Sequence, residues 1–302
     1  MPGAQSGMVR TAEIQQVMRF DWSKLGRTPP AALAGARQLA HHALQWPSRA
    51  ARANLRAVSD DSHSAFSWEA SHAALLTQGL PAKGGEVRTG IRMPRLEMII
   101  TRGDNVLDAF QIDGKTDAQT GAWLDSKLRV LGLKQAGDVR LPYELPAHPL
   151  GAGPHQLGRL GRELGEIARW FGGAADVLEE FRAKLPGLRA SPVLCWPHHF
   201  DIATLVSLEE GSPANARSIG VGASPGDEYY AQPYFYISPW PRFDGEKLPD
   251  PPAPGHWHTE GFFGAVLTGD EILAMKDRGR GLMGFVTAAF DIARTRLGSM
   301  KP

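Results

Sequence analysis

Residues 64–112 contain short apolar runs separated by turn segments, and this pattern limits the fold more than any other part of the chain. The runs are AFSWEASHAALL, VRTGIRMP, LEMII and VLDAFQI, and the segments GLPAKGG and RGDN lie between them. Apolar and β-branched runs bounded by glycine, proline and asparagine are typical of strands joined by turns. We therefore expect an antiparallel meander in this region.

Segments 29–46, 116–132 and 155–187 have the apolar spacing of amphipathic helices. The first begins at a proline pair and is predicted to end ahead of Pro47, because the residue before a proline disfavours helical geometry. Thr116 and Gln119 form a capping box at the start of the second, and a glycine closes it. The third is predicted to be interrupted near residues 172–173 and to stop at 186–187.

The last third of the chain again has strands followed by a helix. The runs VLCW, FDIATLVSL, RSIGVGA, QPYFYIS and GFFGAVL precede a helical pattern from Leu282 to Gly298. This order suggests an internal duplication, and the proline-rich segment 141–154 is the predicted domain boundary. We expect an α+β fold with a mostly antiparallel sheet and helices packed on one side. Its halves are residues 1–145 and 146–302, either separate or fused into one domain.

Composition excludes several classes of partner. The formal net charge of this 302-residue chain is +1 and its basic residues are scattered, so we expect no nucleic-acid partner. A single cysteine favours a reducing compartment, and we expect the cytoplasm. No run approaches the ~20 apolar residues of a membrane span, and the first twenty residues lack the apolar centre of a signal peptide. Composition leaves the oligomeric state open.

The run VLCWPHHFDIATL, residues 193–205, places two histidines side by side before an aspartate. If residues 198–206 form a strand, His199 and Asp201 lie on one face, whereas His198 joins apolar residues on the other. A carboxylate beside an imidazole can fix its tautomer and raise its basicity, which serves metal ligation and general-base catalysis equally. His199 and Asp201 are therefore candidate catalytic residues.

The segment GHWHTEGFFG contains a second group of histidines. On a strand, His256, His258 and Glu260 share a face. Two imidazoles at this spacing can reach one ion, so His199, His256 and His258 are candidate ligands of a divalent transition metal. Without a metal, His258 is a candidate second catalytic base. Ordinary structural histidines remain a third possibility, because no single motif identifies a metal site here.

Four of the five tyrosines lie in the segment EYYAQPYFYISPWPRF. On a strand, Tyr230, Tyr234 and Tyr236 share a face with Gln232, and the apolar body and polar tip of tyrosine suit the wall of a small-molecule pocket. The alternative is that aromatic residues simply favour strands. With Asp227 from the preceding loop, these three tyrosines are candidate substrate-binding residues.

Two features of the sequence suggest a nucleophile for covalent catalysis, but neither has the surroundings that this chemistry requires. The segment GASPG matches the nucleophile elbow of serine hydrolases, but the residue after Ser224 is Pro225, which has no N–H to donate to an oxyanion. Cys195 lies between Leu194 and Trp196, in surroundings typical of a buried thiol. We expect neither residue to be a nucleophile.

Three segments together resemble an uncharacterised bacterial family classified as a domain of unknown function. They are LCWPHHFDIATL, SIGVGASPGDEYYAQPYFYISPWP and HWHTEGFFGAVL, covering most of residues 190–268, with a looser likeness in PYELP and QLAHHALQW. The resemblance implies that the segments belong together but no activity or cofactor. A glutamate can replace His198 in the family pattern and one often stands where Gln232 stands here. The resemblance therefore favours the other candidates, namely His199, Asp201, Asp227 and His258.

The sequence leaves two classes of function open. In the first, the protein is a hydrolase or proton-transfer enzyme acting on a small polar substrate, with or without a metal; His199 is the general base and Asp201 its orienting carboxylate. In the second, it is a non-catalytic small-molecule-binding protein, in which the tyrosines contact the ligand and the histidines only donate or accept hydrogen bonds.

Overall fold

The structure is a computed structural model that describes residues 20–146, 154–155, 158, 160–185, 187–210, 216–242 and 249–299. Within these ranges the strands are β1 Phe66–Glu69, β2 Ala74–Thr77, β3 Arg88–Arg92, β4 Glu97–Arg102, β5 Asn105–Gln111, β6 Arg189–Ala190, β7 Leu194–Trp196, β8 Asp201–Ser207, β9 Ser218–Ser224, β10 Tyr234–Trp240, β11 His256–His258 and β12 Gly264–Thr268. The helices are α1 Ala34–Ala43, α2 Gln45–Asn54, α3 Asp117–Val130, α4 Gly161–Ala183, α5 Gly269–Ala274 and α6 Arg278–Ser299. Short 3₁₀ turns occupy Trp22–Lys24, Pro30–Leu33, Ser62–Ser64 and Met93–Arg95.

All twelve strands of the described residues belong to one antiparallel sheet, so the predicted α+β class is confirmed. Its order is β11-β12-β10-β9-β8-β7-β1-β2-β3-β4-β5, with β6 paired to the side of β8. The meander predicted for residues 64–112 is confirmed as β1 to β5, which pair in chain order. Phe66 of β1 lies opposite Cys195 of β7, so strands from before and after the predicted boundary share the sheet. An internal duplication stays a prediction.

One face of the sheet packs against helices. Cys195, Ile202, Ala223 and Phe235 stand opposite one another on β7 to β10 and are all buried. Helices α4 and α6 contact β8, β9 and β10, while α2 contacts β2 and β3. Because side chains alternate along a strand, the neighbouring row, which includes Tyr236, lies on the opposite face. The polar cavity is on that face.

The helix boundaries differ from the sequence prediction in two places. The first helix does end ahead of Pro47, at Ala43, but a second helix, α2, follows at once. Pro47 lies in the first turn of α2, where a missing N–H breaks no helical bond. Helix α4 runs without interruption through Gly172 and Gly173. A Cβ at residue 173 would lie 3.0 Å from the ring of Trp22, so this glycine lets an N-terminal aromatic side chain approach the helix.

Other local predictions are confirmed or refined. The capping box of Thr116 and Gln119 is present at the start of α3. The run AFSWEASHAALL is not one strand but a hairpin, β1 and β2, with Ala73 in the left-handed region at φ 48° between them. Half of the proline-rich segment 141–154, namely residues 147–153, lies outside the described residues.

Two glycine-to-alanine substitutions should change the stability of the protein in opposite directions, one through close backbone packing and the other through helix propensity. A Cβ at Gly90 in β3 would lie 1.8 Å from the carbonyl oxygen of Leu75 in β2, whereas one at Gly284 in α6 meets no atom within 4 Å. We expect Gly90→Ala to lower the free energy of unfolding by ~2 kcal/mol or more. Gly284→Ala should raise it by ~0.5–1 kcal/mol. Urea unfolding midpoints of the two variants check this, and equal shifts of one sign would contradict it.

Candidate functional site

A cavity of about 630 Å³ lies on the sheet face opposite α4 and α6. Its floor is formed by side chains of β8, β9 and β10, and its rim by α1, the 197–200 turn, the loop 225–233 and the segment 259–263. The predicted site residues His199, Asp201, Asp227, Tyr234 and Tyr236 all line it. A cavity of this size is in the range that binds small organic molecules.

Asp201 and Tyr236 form the centre of the floor. Asp201 is only 9% exposed, and its Oδ2 accepts a hydrogen bond from the hydroxyl of Tyr236. Its Oδ1 is buried and has no hydrogen-bond partner among the described residues. Burial raises the pKa of Asp201, which the Tyr236 hydrogen bond and the nearby His199 only partly oppose, and burial raises the pKa of Tyr236 well above its ordinary value. Tyr236 is therefore the donor, and Asp201 is held toward its neutral form.

A glycine makes this contact possible. Tyr236 on β10 stands opposite Gly222 on β9, and a Cβ at residue 222 would lie 2.5 Å from the tyrosine hydroxyl. The ring of Tyr236 can therefore cross the backbone of β9 to reach Asp201 on β8. The sequence signal for this is the alternating glycine in SIGVGAS, whose residues 220 and 222 face the cavity side.

The expected alternation at residues 198–200 is wrong. Strand β8 begins at Asp201, and residues 197–200 form a turn closed by a 2.7 Å hydrogen bond from the Phe200 N–H to the Trp196 carbonyl. Phe200 adopts a left-handed backbone with φ 59°, which sends its ring into the core. Both His198 and His199 consequently line the cavity, so the assignment of His198 to the core is also wrong.

His199 is exposed at the rim of the cavity, next to the ring of His198 with 4.3 Å between ring centroids. No hydrogen bond joins His199 to Asp201 in the described structure, so the expected orienting carboxylate is not formed; the partner of Asp201 is Tyr236. Burial lowers the pKa of His198 to about 4, and the adjacent His199 adds to this. His198 is therefore neutral at physiological pH.

Helix α1 supplies cavity residues that the sequence prediction missed, namely Arg37, Gln38 and His41. The ring of His41 stacks on Phe200 at 5.2 Å, and its Nε2 donates to the Pro197 carbonyl at 2.8 Å. Gln45 donates to the same carbonyl at 2.9 Å. Burial lowers the pKa of His41 to about 4, so it holds the turn as a neutral donor. The only sequence signal was the histidine pair in QLAHHALQW.

His256 and His258 contact a tyrosine. The hydroxyl of Tyr230 lies 2.8 Å from Nε2 of His256 and 2.9 Å from Nδ1 of His258, whose Nε2 lies 2.5 Å from the Glu260 carbonyl oxygen. A carbonyl only accepts, so Nε2 of His258 donates and its Nδ1, in the neutral ring, accepts from Tyr230. The Tyr230 oxygen is then the acceptor for His256.

This arrangement corrects the predicted metal site. Among the described residues, no three histidine, cysteine, aspartate or glutamate side chains are grouped closely enough to hold a metal ion, and that includes His199, His256 and His258. Tyr230 also lies outside β10, in the preceding loop, where it binds the two histidines. Of the predicted tyrosine stripe, Tyr234 and Tyr236 remain on the strand and line the cavity.

Asp227 organises the loop 225–233. Its Oδ1 accepts from the backbone N–H groups of Tyr229 and Tyr230 at 2.9 and 3.0 Å, and its Oδ2 accepts from the Tyr234 hydroxyl at 2.5 Å. Burial, followed by the charge of Asp227, raises the pKa of Tyr234, so that hydroxyl remains protonated. Both oxygens of Asp227 are thus already occupied by donors of this loop and of β10.

The residues excluded as nucleophiles have structural roles. Ser224 ends β9, and its hydroxyl accepts from the Gly226 N–H at 3.1 Å. Cys195 is fully buried, and burial raises the pKa of its thiol well above the ordinary value.

Comparison with protein families, with curated proteins and with solved structures gives no match to this chain. The resemblance of its three segments to an uncharacterised bacterial family therefore stays a prediction. None of the described helices combines the length and the apolar character that crossing a membrane requires.

Asparagine at residue 201 should change how stability depends on pH. In the unfolded chain Asp201 ionises near its ordinary pKa of 3.8, whereas in the folded protein burial raises this pKa. Between these two values the unfolded state binds fewer protons, so stability falls as pH rises, by at most ~1.4 kcal/mol per pH unit. Asp201→Asn has no such titration and therefore does not lose this stability. The free energy of unfolding of the variant minus that of wild type should be larger at pH 8 than at pH 4.

Urea unfolding at both pH values measures the effect. The control is Asp104→Asn, which lies in the exposed turn between β4 and β5. The same pH dependence in wild type and both variants would show that Asp201 titrates normally.

Removing the Tyr230 hydroxyl should loosen the loop 225–233. Tyr230→Phe leaves ring nitrogens of His256 and His258 without their partner. A net loss of ~0.5–1.5 kcal/mol corresponds to roughly threefold to tenfold faster amide exchange in the loop. Tyr229→Phe is the matched control, because that hydroxyl makes no hydrogen bond to the described residues. Equal exchange in both variants would mean that Tyr230 does not hold the loop.

Proposed function

We propose that the protein is a proton-transfer enzyme that acts on a small organic molecule in the 630 Å³ cavity. Asp201 is the general acid and His199 the general base. The observation that carries the proposal is the environment of Asp201. Its buried carboxyl group lies on the cavity wall, with one oxygen bound by Tyr236 and the other without a partner among the described residues.

The chemistry follows from where the proton sits. Tyr236 donates to Oδ2, so a proton on Asp201 belongs on Oδ1, the oxygen that has no partner among the described residues. A neutral carboxylic acid in a buried site can hydrogen-bond or protonate a substrate oxygen on which negative charge develops. Each such donor contributes on the order of 10²–10³ to the rate.

His199 supplies the complementary function. It is an exposed imidazole on the same cavity, and its ring makes no hydrogen bond to the described residues. In the proposed step, His199 removes a proton from a substrate carbon next to a carbonyl group, while Asp201 stabilises the resulting enol oxygen. Return of the proton to a different atom completes an isomerisation, and no redox partner is consumed.

His198 and His41 are weaker candidates for the base. Burial lowers both pKa values to about 4, and a base this weak accepts a proton from carbon poorly at neutral pH. His41 is also engaged with the Pro197 carbonyl. Both residues fit a role in holding the turn that carries His199.

Hydrogen–deuterium exchange at carbon tests the proposal without knowledge of the product. The protein is incubated in D₂O with a panel of small ketones and keto acids, and loss of α-proton signals is followed by proton NMR. We expect wild type to accelerate exchange of at least one compound. His199→Ala should lower that rate by ~10²–10⁴, since a positioned base contributes about this factor.

Two further variants sharpen the test. Asp201→Asn keeps the shape of the side chain and replaces the acidic O–H by an N–H. It should therefore still hydrogen-bond to the substrate but no longer donate a proton, and its rate should fall less than that of Asp201→Ala. His72→Ala, in the turn between β1 and β2, is the matched histidine control and should leave the rate unchanged. Wild-type rates in both His199→Ala and Asp201→Ala would refute the assignment. Saturable binding with no exchange in the wild-type protein would favour the non-catalytic binding class.

A further inference from the structure

We propose that Arg37 binds a carboxylate group of the ligand, so that the cavity is selective for small organic acids with a flat apolar portion. This substrate class rests on the function proposed for the cavity. Binding of a carboxylate by Arg37 can nevertheless be measured independently of catalysis.

Arg37 has no hydrogen-bond or ion-pair partner among the described residues. It lies in the first turn of α1 and lines the cavity, and its buried Nη1 makes no hydrogen bond to any of them. No ion pair or hydrogen bond joins its side chain to any other described residue. A guanidinium group keeps its charge in proteins, and a buried donor without an acceptor costs about 1–3 kcal/mol, more when charged. An anionic ligand would remove that cost.

The nearest protein carboxylate does not fill this role. Asp227 attracts Arg37 at long range and thereby opposes the effect of burial, which lowers the pKa of Arg37. Both oxygens of Asp227 are occupied by donors of the loop 225–233, and it forms no ion pair with Arg37 within the described structure. Asp227 thus helps to retain the cation in the cavity wall without forming an ion pair with it.

Backbone geometry brings the guanidinium close to the loop. Gly226 has φ 111°, and a Cβ there would lie 2.3 Å from Nη1 of Arg37. The missing side chain at residue 226 is what allows the guanidinium to lie against the loop backbone. Any side chain at this position would displace Arg37 from the cavity wall.

Charge balance favours a carboxylate over other groups. Arg37 is the one lysine or arginine among the described cavity residues. The wall carboxylates are Asp227, whose two oxygens are occupied, the buried Asp201, held toward its neutral form, and the exposed Glu228. A phosphate dianion would bring a second negative charge that no described cavity residue neutralises. An ammonium group would meet the guanidinium of Arg37 as a like charge, and the buried carboxyl group of Asp201 is held toward its neutral form.

The apolar part of the ligand follows from two aromatic rings that line the same cavity. Tyr229 and Phe262 both line the cavity, with their ring centroids 5.4 Å apart and their planes inclined at 68°. Phe262 also stacks on Tyr234 at 6.1 Å. Aromatic walls of this kind favour flat, unsaturated groups. Benzoate is therefore a suitable simple probe.

The test is calorimetric titration of the wild-type protein with benzoate, benzamide, phenyl phosphate and benzylamine. We expect benzoate to bind at least tenfold more tightly than the other three. Arg37→Gln should weaken benzoate binding by tenfold or more, and Arg37→Lys, which keeps the charge but not the planar fork, should weaken it less. Arg27→Gln removes an equal charge at an exposed residue outside the cavity and should have no effect.

Each other outcome overturns the proposal. Benzoate binding that is equal in wild type and Arg37→Gln excludes Arg37 as the carboxylate site. Preference for phenyl phosphate or benzylamine excludes the carboxylate class, and failure of all four probes to bind excludes small aromatic acids. Circular dichroism checks that Arg37→Gln folds; if it does not, the ranking of the four probes on the wild-type protein decides.

Binding and catalysis can be separated with Asp201→Asn. If benzoate binding needs Arg37 while Asp201→Asn and His199→Ala exchange substrate protons at the wild-type rate, the carboxylate site stands and the proposed reaction fails. If those two variants lose activity but Arg37→Gln binds benzoate normally, the reaction stands and the carboxylate site fails.

Discussion

The pairing of β8, β9 and β10, with one face covered by α4 and α6, is the constraint on which the site depends. Because side chains alternate along each strand, the apolar row that includes Phe235 requires its neighbours to point away from the helices. That alternation places Asp201, Gly222 and Tyr236 together on the cavity side. The strand register that buries the hydrophobic core therefore also positions the polar centre. A slip of one residue in this register would turn the polar side chains toward the helices and the apolar ones toward the cavity.

Burying a carboxyl group has a cost, and the structure offsets only part of it. Tyr236 satisfies one oxygen of Asp201, while the other oxygen has no described partner, so ionisation remains unfavourable. A design for stability alone would place an apolar residue at this position or complete the hydrogen bonding. An incompletely paired acid beside a cavity is the arrangement expected where a protein retains a group for binding or chemistry.

The local features of the fold were predictable from the sequence, whereas the contacts between distant elements were not. The capping box at Thr116 and most strand runs depend on near neighbours and appear as expected, although AFSWEASHAALL forms two strands and not one. The strand parity failed at residues 198–200, because Phe200 adopts a left-handed backbone that no periodicity indicates, and at Tyr230, which lies in the loop before β10. Arg37 was missed because it reaches the cavity by packing of α1 near the loop 225–233, a contact separated by almost 190 residues in sequence. The metal prediction failed because the described residues contain no group of three suitable ligands, and Tyr230 hydrogen-bonds ring nitrogens of His256 and His258.

Arg37 and Asp201 have complementary roles if both proposals hold. A free cation and a neutral acid in one cavity together leave the site ready for a ligand with a single negative charge. When such a ligand binds, its charge disfavours ionisation of Asp201, since a nearby like charge raises the pKa of a carboxyl group. Binding would therefore strengthen the protonation state that proton donation requires. By reciprocity, ionisation of Asp201 at higher pH would weaken the binding of the acid, which links recognition of the ligand to readiness for the reaction.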